Sequence, residues 1–298
     1  MGKLHGSPKH WPYLALIGVA RLVCLLPVRC WLGLGRGIGH VGYRLAKRRR
    51  RIAEINIRLC FPALGEHERE NLVRQTFLSV GMLAMEMAYC WTRPIDILAP
   101  RMEIHGLDVL REAQAERRGI LLVGGHYLTL DLGAALLSTK VDLDAVYRLN
   151  KNPAVEHLML KGRKRFCGRV IERNDIRRAI RSLRDCRLLW YAPDQDYGIR
   201  HSVFAPFFGQ TAATIATSRL VRLTDARPIL FSHFRDPEKG TWSLYLQRID
   251  NYPTGDHEAD AKHLNSLIEA EIRKHPEQYL WLHRRFKTRP EGVPSPYA

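Results

Sequence analysis

The chain has 298 residues, of which 46% are hydrophobic and 26% are charged, and its formal net charge is +17. This composition excludes a disordered chain, and the length suits one large domain or two small ones. A charge this positive calls for an anionic partner or surface, such as nucleic acid, a membrane or a phosphorylated substrate. The six cysteines form no C-x-x-C pair and no zinc-like cluster with histidine. We therefore predict reduced thiols in a cytoplasmic environment, with no metal and no cofactor.

The N-terminal region is first apolar and then strongly basic. Residues 11–34 form the most apolar long stretch, but two arginines and a proline interrupt it. Its uninterrupted part, Trp11 to Ala20, covers half of the ~20 residues that a bilayer span needs. Five consecutive cations follow, namely Lys47, Arg48, Arg49, Arg50 and Arg51. We expect residues 1–50 to form a membrane-associated helical arm on anionic lipid; the alternative is a solvated charge run beside a core helix.

The rest of the chain changes from helical to alternating patterns. A helix is predicted to end at Phe61-Pro62, and a second one, with an apolar stripe, to begin after Gly65. From about residue 101, the predicted strands are 120–123, 143–147, 169–171, 188–192, 229–234 and 242–247. The predicted helices are 127–137, 153–166, 175–185, 214–224 and 256–274. This alternation predicts an α/β fold, with residues 51–298 as one catalytic domain.

A histidine and an aspartate follow the first of these strands. The segment ends in Gly124-Gly125-His126, and Asp131 lies five residues beyond the histidine. Open α/β sheets place reacting groups at such strand ends. A neutral imidazole can take a proton from a hydroxyl group, and a carboxylate on its other nitrogen fixes the tautomer. We therefore expect His126 as a base and Asp131 as its orienting partner, with helix N-terminal amides near a developing oxyanion.

The alternative for this pair is a core histidine that is satisfied by a helix carboxylate. The two glycines before His126 favour the active-site interpretation, because they would let a bulky substrate approach closely.

Two further strand ends carry polar residues. Arg148 follows the strand 143–147, and Asp194 and Gln195 follow the strand 188–192. If these strands are parallel, His126, Arg148 and Asp194 share one edge of the sheet. Arg148 is suited to hold a phosphate or a carboxylate, and an ion pair with Asp194 or Asp196 is the alternative.

Several blocks of the chain resemble the late acyltransferases of lipid A biosynthesis, the lauroyl/myristoyl acyltransferase family of Gram-negative inner membranes. The blocks are Gly119–Ala134, Val146–Arg148 with Asn150–Pro153, Trp190–Gly198, Ser202–Phe208 and Glu277–Ser295. The resemblance implies a glycerolipid-acyltransferase-like α/β fold, with a mixed central sheet flanked by helices. It implies an enzyme at the cytoplasmic face of the inner membrane. Such an enzyme would move a fatty acyl chain from acyl carrier protein to a hydroxyl group of a Kdo-bearing lipid A precursor.

The resemblance also implies roles for individual residues. It assigns catalysis to His126 and Asp131 of an HX4D motif, and substrate binding to Arg148 and Asp194. Gln195 stands where some relatives have histidine, so its role in binding substrate stays open.

Three other functions are compatible with parts of the pattern. A lysophosphatidate-type acyltransferase would use the same His-x4-Asp chemistry on a different acceptor. A basic nucleic-acid-binding protein and a non-catalytic membrane scaffold are the alternatives outside this enzyme class. The basic run adjoins an apolar stretch, and no aromatic-basic signature for stacking bases is present, so we expect no nucleic acid as a partner.

Overall fold

The structure, a computed structural model, describes residues 18–298. Its strands are β1 (Met102–His105), β2 (Ile120–Val123), β3 (Leu143–Tyr147), β4 (Val170–Glu172), β5 (Leu188–Tyr191), β6 (Ser202–Phe207), β7 (Gln210–Ile215), β8 (Arg227–Asp236) and β9 (Thr241–Arg248). Seven of them form one sheet in the order β1-β9-β8-β2-β5-β3-β4, and β6 pairs with β7 in a separate hairpin. Pairing in the large sheet is parallel except between β8 and β9. The α/β class with a mixed sheet flanked by helices is confirmed.

Helices precede the sheet and connect its strands. They are α1 (Val28–Leu45), α2 (Lys47–Cys60), α3 (Glu66–Thr92), α4 (Leu107–Ala115), α5 (Leu130–Leu137), α6 (Pro153–Arg163), α7 (Ile176–Arg184), α8 (Ser218–Thr224) and α9 (His257–Lys274). The side chains of Asn152, Asp175 and Asp256 accept hydrogen bonds from the first-turn amides of α6, α7 and α9. These caps fix where the three helices begin.

The helices pack on two faces of the sheet, because successive strand residues point to opposite sides. Ile120 and Leu122 of β2 lie in one core with residues from α1, α4 and α5, and we call this side the α1 face. Leu121 and Val123 lie in a second core with residues from α2, α7, α8 and α9, and we call this side the α9 face. The sheet therefore separates α1 from α7 and α8.

Helix α1 begins directly after Pro27, where the sequence predicts a break, and packs closely on α3. A Cβ atom at Gly81 would lie 2.0 Å from the carbonyl oxygen of Gly35, and one at Gly39 would lie 2.3 Å from that of Phe77. Glycine is required here because the two backbones touch. Residues 28–45 are thus fixed on the catalytic body.

The membrane-associated arm is described only in part. Most of the apolar segment Trp11 to Ala20 lies outside the described residues. Within residues 18–298, no helix combines the length and the apolar character that a bilayer crossing needs. The expected boundary between the membrane-associated arm and the catalytic domain, at residue 50, falls inside α2. The first turns of α2 contain the five consecutive cations.

The structure corrects the prediction for residues 214–224. Residues 210–215 are strand β7, and the helix begins only at Ser218. The hairpin turns through Phe208 and Gly209, whose φ angles of 50° and 73° are both positive. Such two-residue turns are usually marked by Asn-Gly, so Phe-Gly gave no clear signal. Strand β1 and helix α4 were also not predicted, and α5 begins at Leu130, three residues later than expected.

Candidate active site

The predicted site residues lie at the carboxyl edge of the sheet. Strand β2 leads to His126, and its neighbour β5 leads to Asp194; the two strands are parallel, with Val123 opposite Tyr191. Strand β3, which leads to Arg148, is parallel to β5. The prediction that these three residues share one edge is confirmed.

His126 is bound to Asp194 through both its ring and its backbone. The ring Nδ1 lies 2.6 Å from Asp194 Oδ1, and the backbone N–H donates to Oδ2 at 2.8 Å. Burial alone would raise the pKa of Asp194, but the His126 charge and the hydrogen bonds from His126 and Tyr279 lower it to about 2. An ionised carboxylate only accepts hydrogen bonds, so Nδ1 must carry the proton. In the neutral form of the ring, the lone pair is therefore on Nε2, which suits the ring to act as a base.

The C-terminal segment holds this pair from the other side. The hydroxyl of Tyr279 donates to Asp194 Oδ2 at 2.8 Å. The backbone N–H of Leu280 donates to the carbonyl oxygen of His126 at 3.1 Å. Burial and the charge of Asp194 raise the pKa of Tyr279 well above its ordinary value, so its phenol stays a donor. Tyr279 is a positioning residue that we did not single out from the sequence, although it lies in the C-terminal block of the resemblance.

Asp131 does not orient His126 in this structure, contrary to expectation. Its Oδ1 accepts hydrogen bonds from Arg163 Nε at 3.0 Å and Nη2 at 2.7 Å, and its Oδ2 accepts one from Trp91 Nε1 at 3.2 Å. The reason is that α5 starts only at Leu130, so Asp131 lies in the first turn and contacts α6 and α3. Asp194 is the carboxylate that contacts the imidazole instead.

The Asp131–Arg163 pair is nevertheless part of this region. Burial lowers the pKa of the Arg163 guanidinium, but the Asp131 charge outweighs this and raises it, so the guanidinium stays charged. The pair and Trp91 join α3, α5 and α6 beside the His126 loop. Nothing in the local sequence marks Arg163 or Trp91 as partners of Asp131, since both lie far from it along the chain.

Arg148 is exposed at the same edge. The alternative ion pairs are not formed: Asp194 binds His126, and Asp196 accepts hydrogen bonds from the backbone N–H and the hydroxyl of Thr288 at 2.6 Å and 2.8 Å. Gln195, between the two aspartates, is half-buried.

Large aliphatic side chains also lie on the loops at this edge. Leu149 and Ile199 are 57% and 63% exposed. An exposed guanidinium beside exposed aliphatic groups suits an amphiphilic, anionic ligand.

A second histidine, His283, lies near the site and was not expected from the sequence. Its Nε2 accepts a hydrogen bond from the backbone N–H of Asp196 at 3.1 Å. Burial, followed by the charge of His126, lowers the pKa of His283 to about 4. This side chain therefore stays neutral at physiological pH, and its Nδ1 carries the proton.

We expect from the sequence that the two glycines before His126 leave room for substrate, but the structure shows that they do not. A Cβ atom at Gly124 would lie 2.4 Å from the carbonyl oxygen of Phe231, and one at Gly125 would lie 3.1 Å from the Ile268 side chain. Glycine is explained here by close packing on strand β8 and helix α9. On the open side of the loop, the Trp190 ring packs edge-on against the His126 ring, with centroids 5.8 Å apart.

An imidazole held by a buried carboxylate at the carboxyl edge of a parallel sheet defines a candidate general-base enzyme. A sequence profile of the bacterial lipid A biosynthesis acyltransferases matches residues 3–288. The chain is 42% identical to the lipid A biosynthesis lauroyltransferase of Escherichia coli (strain K12) over 97% of this chain and 96% of that protein. It is 37% identical to the palmitoleoyltransferase of the same strain, over 97% and 95%. Identity to the myristoyltransferase of that strain is 30%, over 97% and 91%.

The chain belongs to the bacterial lipid A biosynthesis acyltransferase family. It is thus an acyltransferase of lipopolysaccharide biosynthesis, and the resemblance noted in the sequence is confirmed. Family membership favours lipid A acylation over the lysophosphatidate alternative.

Proposed function

We propose that this enzyme transfers a fatty acyl chain from acyl carrier protein to a hydroxyl group of a Kdo-bearing lipid A precursor. The observation that carries the proposal is the His126 ring, whose Nδ1 is bound to buried Asp194, so that Nε2 is the nitrogen available to act as the base. The ring is 18% exposed, so an acceptor hydroxyl group can approach it. The exposed side chains of Arg148, Leu149 and Ile199 support an acceptor with anionic groups and acyl chains.

The proposed reaction is a direct transfer between the two substrates. Nε2 of His126 takes the proton of the acceptor hydroxyl group while its oxygen attacks the thioester carbonyl carbon. A carbon–oxygen bond forms, the carbon–sulfur bond breaks, and the leaving thiolate receives the proton from the imidazolium. Asp194 stabilises the imidazolium, and a positioned base contributes ~10²–10⁴-fold to such a step. First-turn amides of α5 would stabilise the oxyanion.

The remaining site residues would position the substrates. Arg148 would bind a phosphate or a Kdo carboxylate of the acceptor. Asp131, through Arg163, would keep α5 and α6 in place beside His126. Gln195 follows Asp194 directly, and its contact with substrate stays a prediction.

We further propose that α1 lies on the cytoplasmic face of the inner membrane. An apolar stripe on α1 consists of Leu34, Ile38, Val41 and Leu45, whose exposure ranges from 47% to 76%. Their spacing places them on one side of the helix, while Trp31 and Leu32 face the core. The exposed cations Lys47, Arg48 and Arg51 follow at the end of the stripe. An interfacial helix on anionic lipid has these two features together.

The proposal is tested with the variant His126→Ala and the control His67→Ala, which changes an exposed histidine on α3. Both are incubated with dodecanoyl acyl carrier protein and lipid A precursors with or without Kdo, and products are identified by mass spectrometry. We expect the control and the wild type to acylate the Kdo-bearing precursor. His126→Ala should fold, bind anionic vesicles and lose at least ~100-fold in turnover.

Turnover close to wild type in His126→Ala would overturn the assignment of the base. Equal transfer to a lysophosphatidate acceptor would overturn the acceptor class, and transfer from acyl coenzyme A alone would overturn the donor.

A further inference from the structure

We infer that a surface of arginines on α7 and α8 is a docking site for an acidic protein, the carrier that delivers the acyl thioester. This inference rests on the proposed use of a protein-bound acyl donor. The arginine surface consists of Arg177, Arg178, Arg181 and Arg184 on α7 and Arg219 and Arg222 on α8, all of them exposed.

These cations are not neutralised within the part of the chain that the structure describes. No carboxylate of residues 18–298 lies within ion-pair distance of Arg177, Arg178 or Arg181. Arg184 donates only to the carbonyl oxygen of Leu223, at 3.4 Å. Like charges one turn apart on a helix destabilise it. Such a cluster is therefore best explained by a binding partner of opposite charge.

The two helices present their cations on one side because their other sides are buried. Ala179 and Leu183 of α7 pack in the core of the α9 face together with Leu220 and Val221 of α8. The side chains of Arg177, Arg181 and Arg184 then follow one another along the solvent side of α7, at helical spacing.

The dimensions fit a protein helix better than a small anion. Seven residues separate the first and last arginines of α7, which is about 10 Å at the helical rise of 1.5 Å per residue. Packed helices lie ~8–10 Å apart, so the cations of α8 broaden the surface by about that distance. Ile176 and Leu223, which are 48% and 59% exposed, provide apolar contacts at its edges. A broad basic surface with aliphatic groups matches an amphipathic acidic helix.

The position of the surface suits delivery of an acyl group to His126. Helix α7 begins after β4, three strands from β2 in the sheet order, which is about 15 Å at the usual strand spacing. Between β4 and α7, the guanidinium of Arg173 lies 4.8 Å from the ring centroid of Tyr197, on the loop that carries Asp194. A carrier bound to α7 would therefore be beside the catalytic edge, within reach of a thioester on a flexible arm.

The fold argues against a bilayer as the occupant. The exposed apolar stripe of α1 lies on the α1 face, whereas α7 and α8 pack on the α9 face, with the sheet between them. A membrane that lies along α1 is on the opposite side of the sheet from α7 and α8, although the cations at the start of α2 belong to a helix that packs on the α9 face. A soluble acidic protein is the partner that fits this side.

The test uses charge reversal of the full-length protein. The triple variant Arg177→Glu, Arg178→Glu, Arg181→Glu changes the proposed surface. The control is the triple variant Arg74→Glu, Arg111→Glu, Lys140→Glu, which alters net charge equally at exposed positions on other elements. Binding of dodecanoyl acyl carrier protein is measured by calorimetry, and its KM and kcat are measured in the transfer assay.

We expect the α7 variant to weaken carrier binding and raise its KM by about 10- to 100-fold. Its kcat, its acceptor KM and its vesicle binding should stay within about 2-fold of the control, which itself should match the wild type. Carrier binding by the wild type should weaken with added salt, and that dependence should be reduced in the α7 variant.

Unchanged carrier binding in the α7 variant would overturn the inference. A variant that loses vesicle binding or RNA binding, but keeps carrier binding, would also overturn it. If this variant does not fold, Arg219→Glu with Arg222→Glu on α8 tests the same surface. A wild type that binds the carrier but does not transfer its acyl group would refute the proposed function and leave the docking site intact.

Discussion

Replacing the buried carboxylate of Asp194 by an amide, in the variant Asp194→Asn, isolates its charge with little change in shape. The pKa of Asp194 is lowered from 3.8 to about 2, and each pKa unit corresponds to about 1.4 kcal/mol. The site therefore favours the carboxylate by about 2–3 kcal/mol. Because burial acts in the opposite direction, the attraction between Asp194 and a protonated His126 exceeds this net value.

The expected loss of activity follows from that attraction. If 2–3 kcal/mol of imidazolium stabilisation is lost, turnover falls by about 30- to 150-fold. An amide also permits the wrong tautomer of His126, and the combined loss in comparable sites is ~10⁴-fold in kcat. We therefore expect kcat to fall by about 10³- to 10⁴-fold in the acyl transfer assay, with the acceptor KM little changed.

The matched comparison is Asp131→Asn, which leaves Arg163, whose side chain is only 16% exposed, without its charged partner. Here we expect a loss of stability of about 3–5 kcal/mol. The decrease in kcat should be smaller than that of Asp194→Asn when the assay is run well below the melting temperature. A variant Asp194→Asn that keeps kcat within about 10-fold of wild type, alongside an inactive but stable Asp131→Asn, would refute this reasoning.

Three further outcomes are expected. Because the pKa of Asp194 is depressed, its contribution to stability is complete above pH 4 and lost as the pH falls toward about 2. The difference in unfolding free energy between wild type and Asp194→Asn, measured in urea, should therefore disappear over that interval. A difference that stays constant with pH would contradict the ion pair. Tyr279→Phe removes one hydrogen-bond donor from Asp194, and the more basic carboxylate then stabilises the imidazolium form of His126. The acidic limb of the pH profile of kcat/KM should therefore move to higher pH. If Tyr279 had a merely structural role, the variant would lower kcat without moving this limb. Gly81→Ala forces α1 and α3 apart and should lower the free energy of unfolding by about 1–3 kcal/mol, measured by thermal unfolding. The control Gly37→Ala, with open space around its Cβ position, should be neutral or stabilising. Equal effects of the two variants would contradict the close helix contact.

Much of the sheet could be predicted from the sequence because its central strands are buried on both faces. Strands β2 and β3 match the predicted ranges 120–123 and 143–147 at both ends. Strand β2 is a continuous apolar run, as expected for a strand that is buried on both faces, whereas β3 is apolar except for the buried Asp144. The same rule placed His126, Arg148 and Asp194 at strand ends, and the parallel pairing then brought them to one edge.

The identity of the histidine's partner could not be predicted in the same way. His126 and Asp194 are 68 residues apart, and they meet only because β5 lies next to β2 in the sheet. Asp131 is close to His126 along the chain, but closeness in sequence does not decide which way a helical side chain points. Because α5 starts at Leu130, the Asp131 side chain contacts Arg163 instead of His126. A contact between two helices is not predicted by any local sequence pattern.

The arrangement of the two faces suggests how one site can serve a lipid and a soluble donor. On our proposals, the acceptor arrives from the bilayer beside α1, and the donor arrives from water beside α7. A sheet covered by helices prevents either substrate from crossing to the other face, but its carboxyl edge is accessible from both. A base at that edge, with its partner Asp194 fully buried, can receive both substrates without a movement of the sheet. On these proposals, the position of His126 at a strand end, rather than on a helix of either face, is what would allow direct transfer.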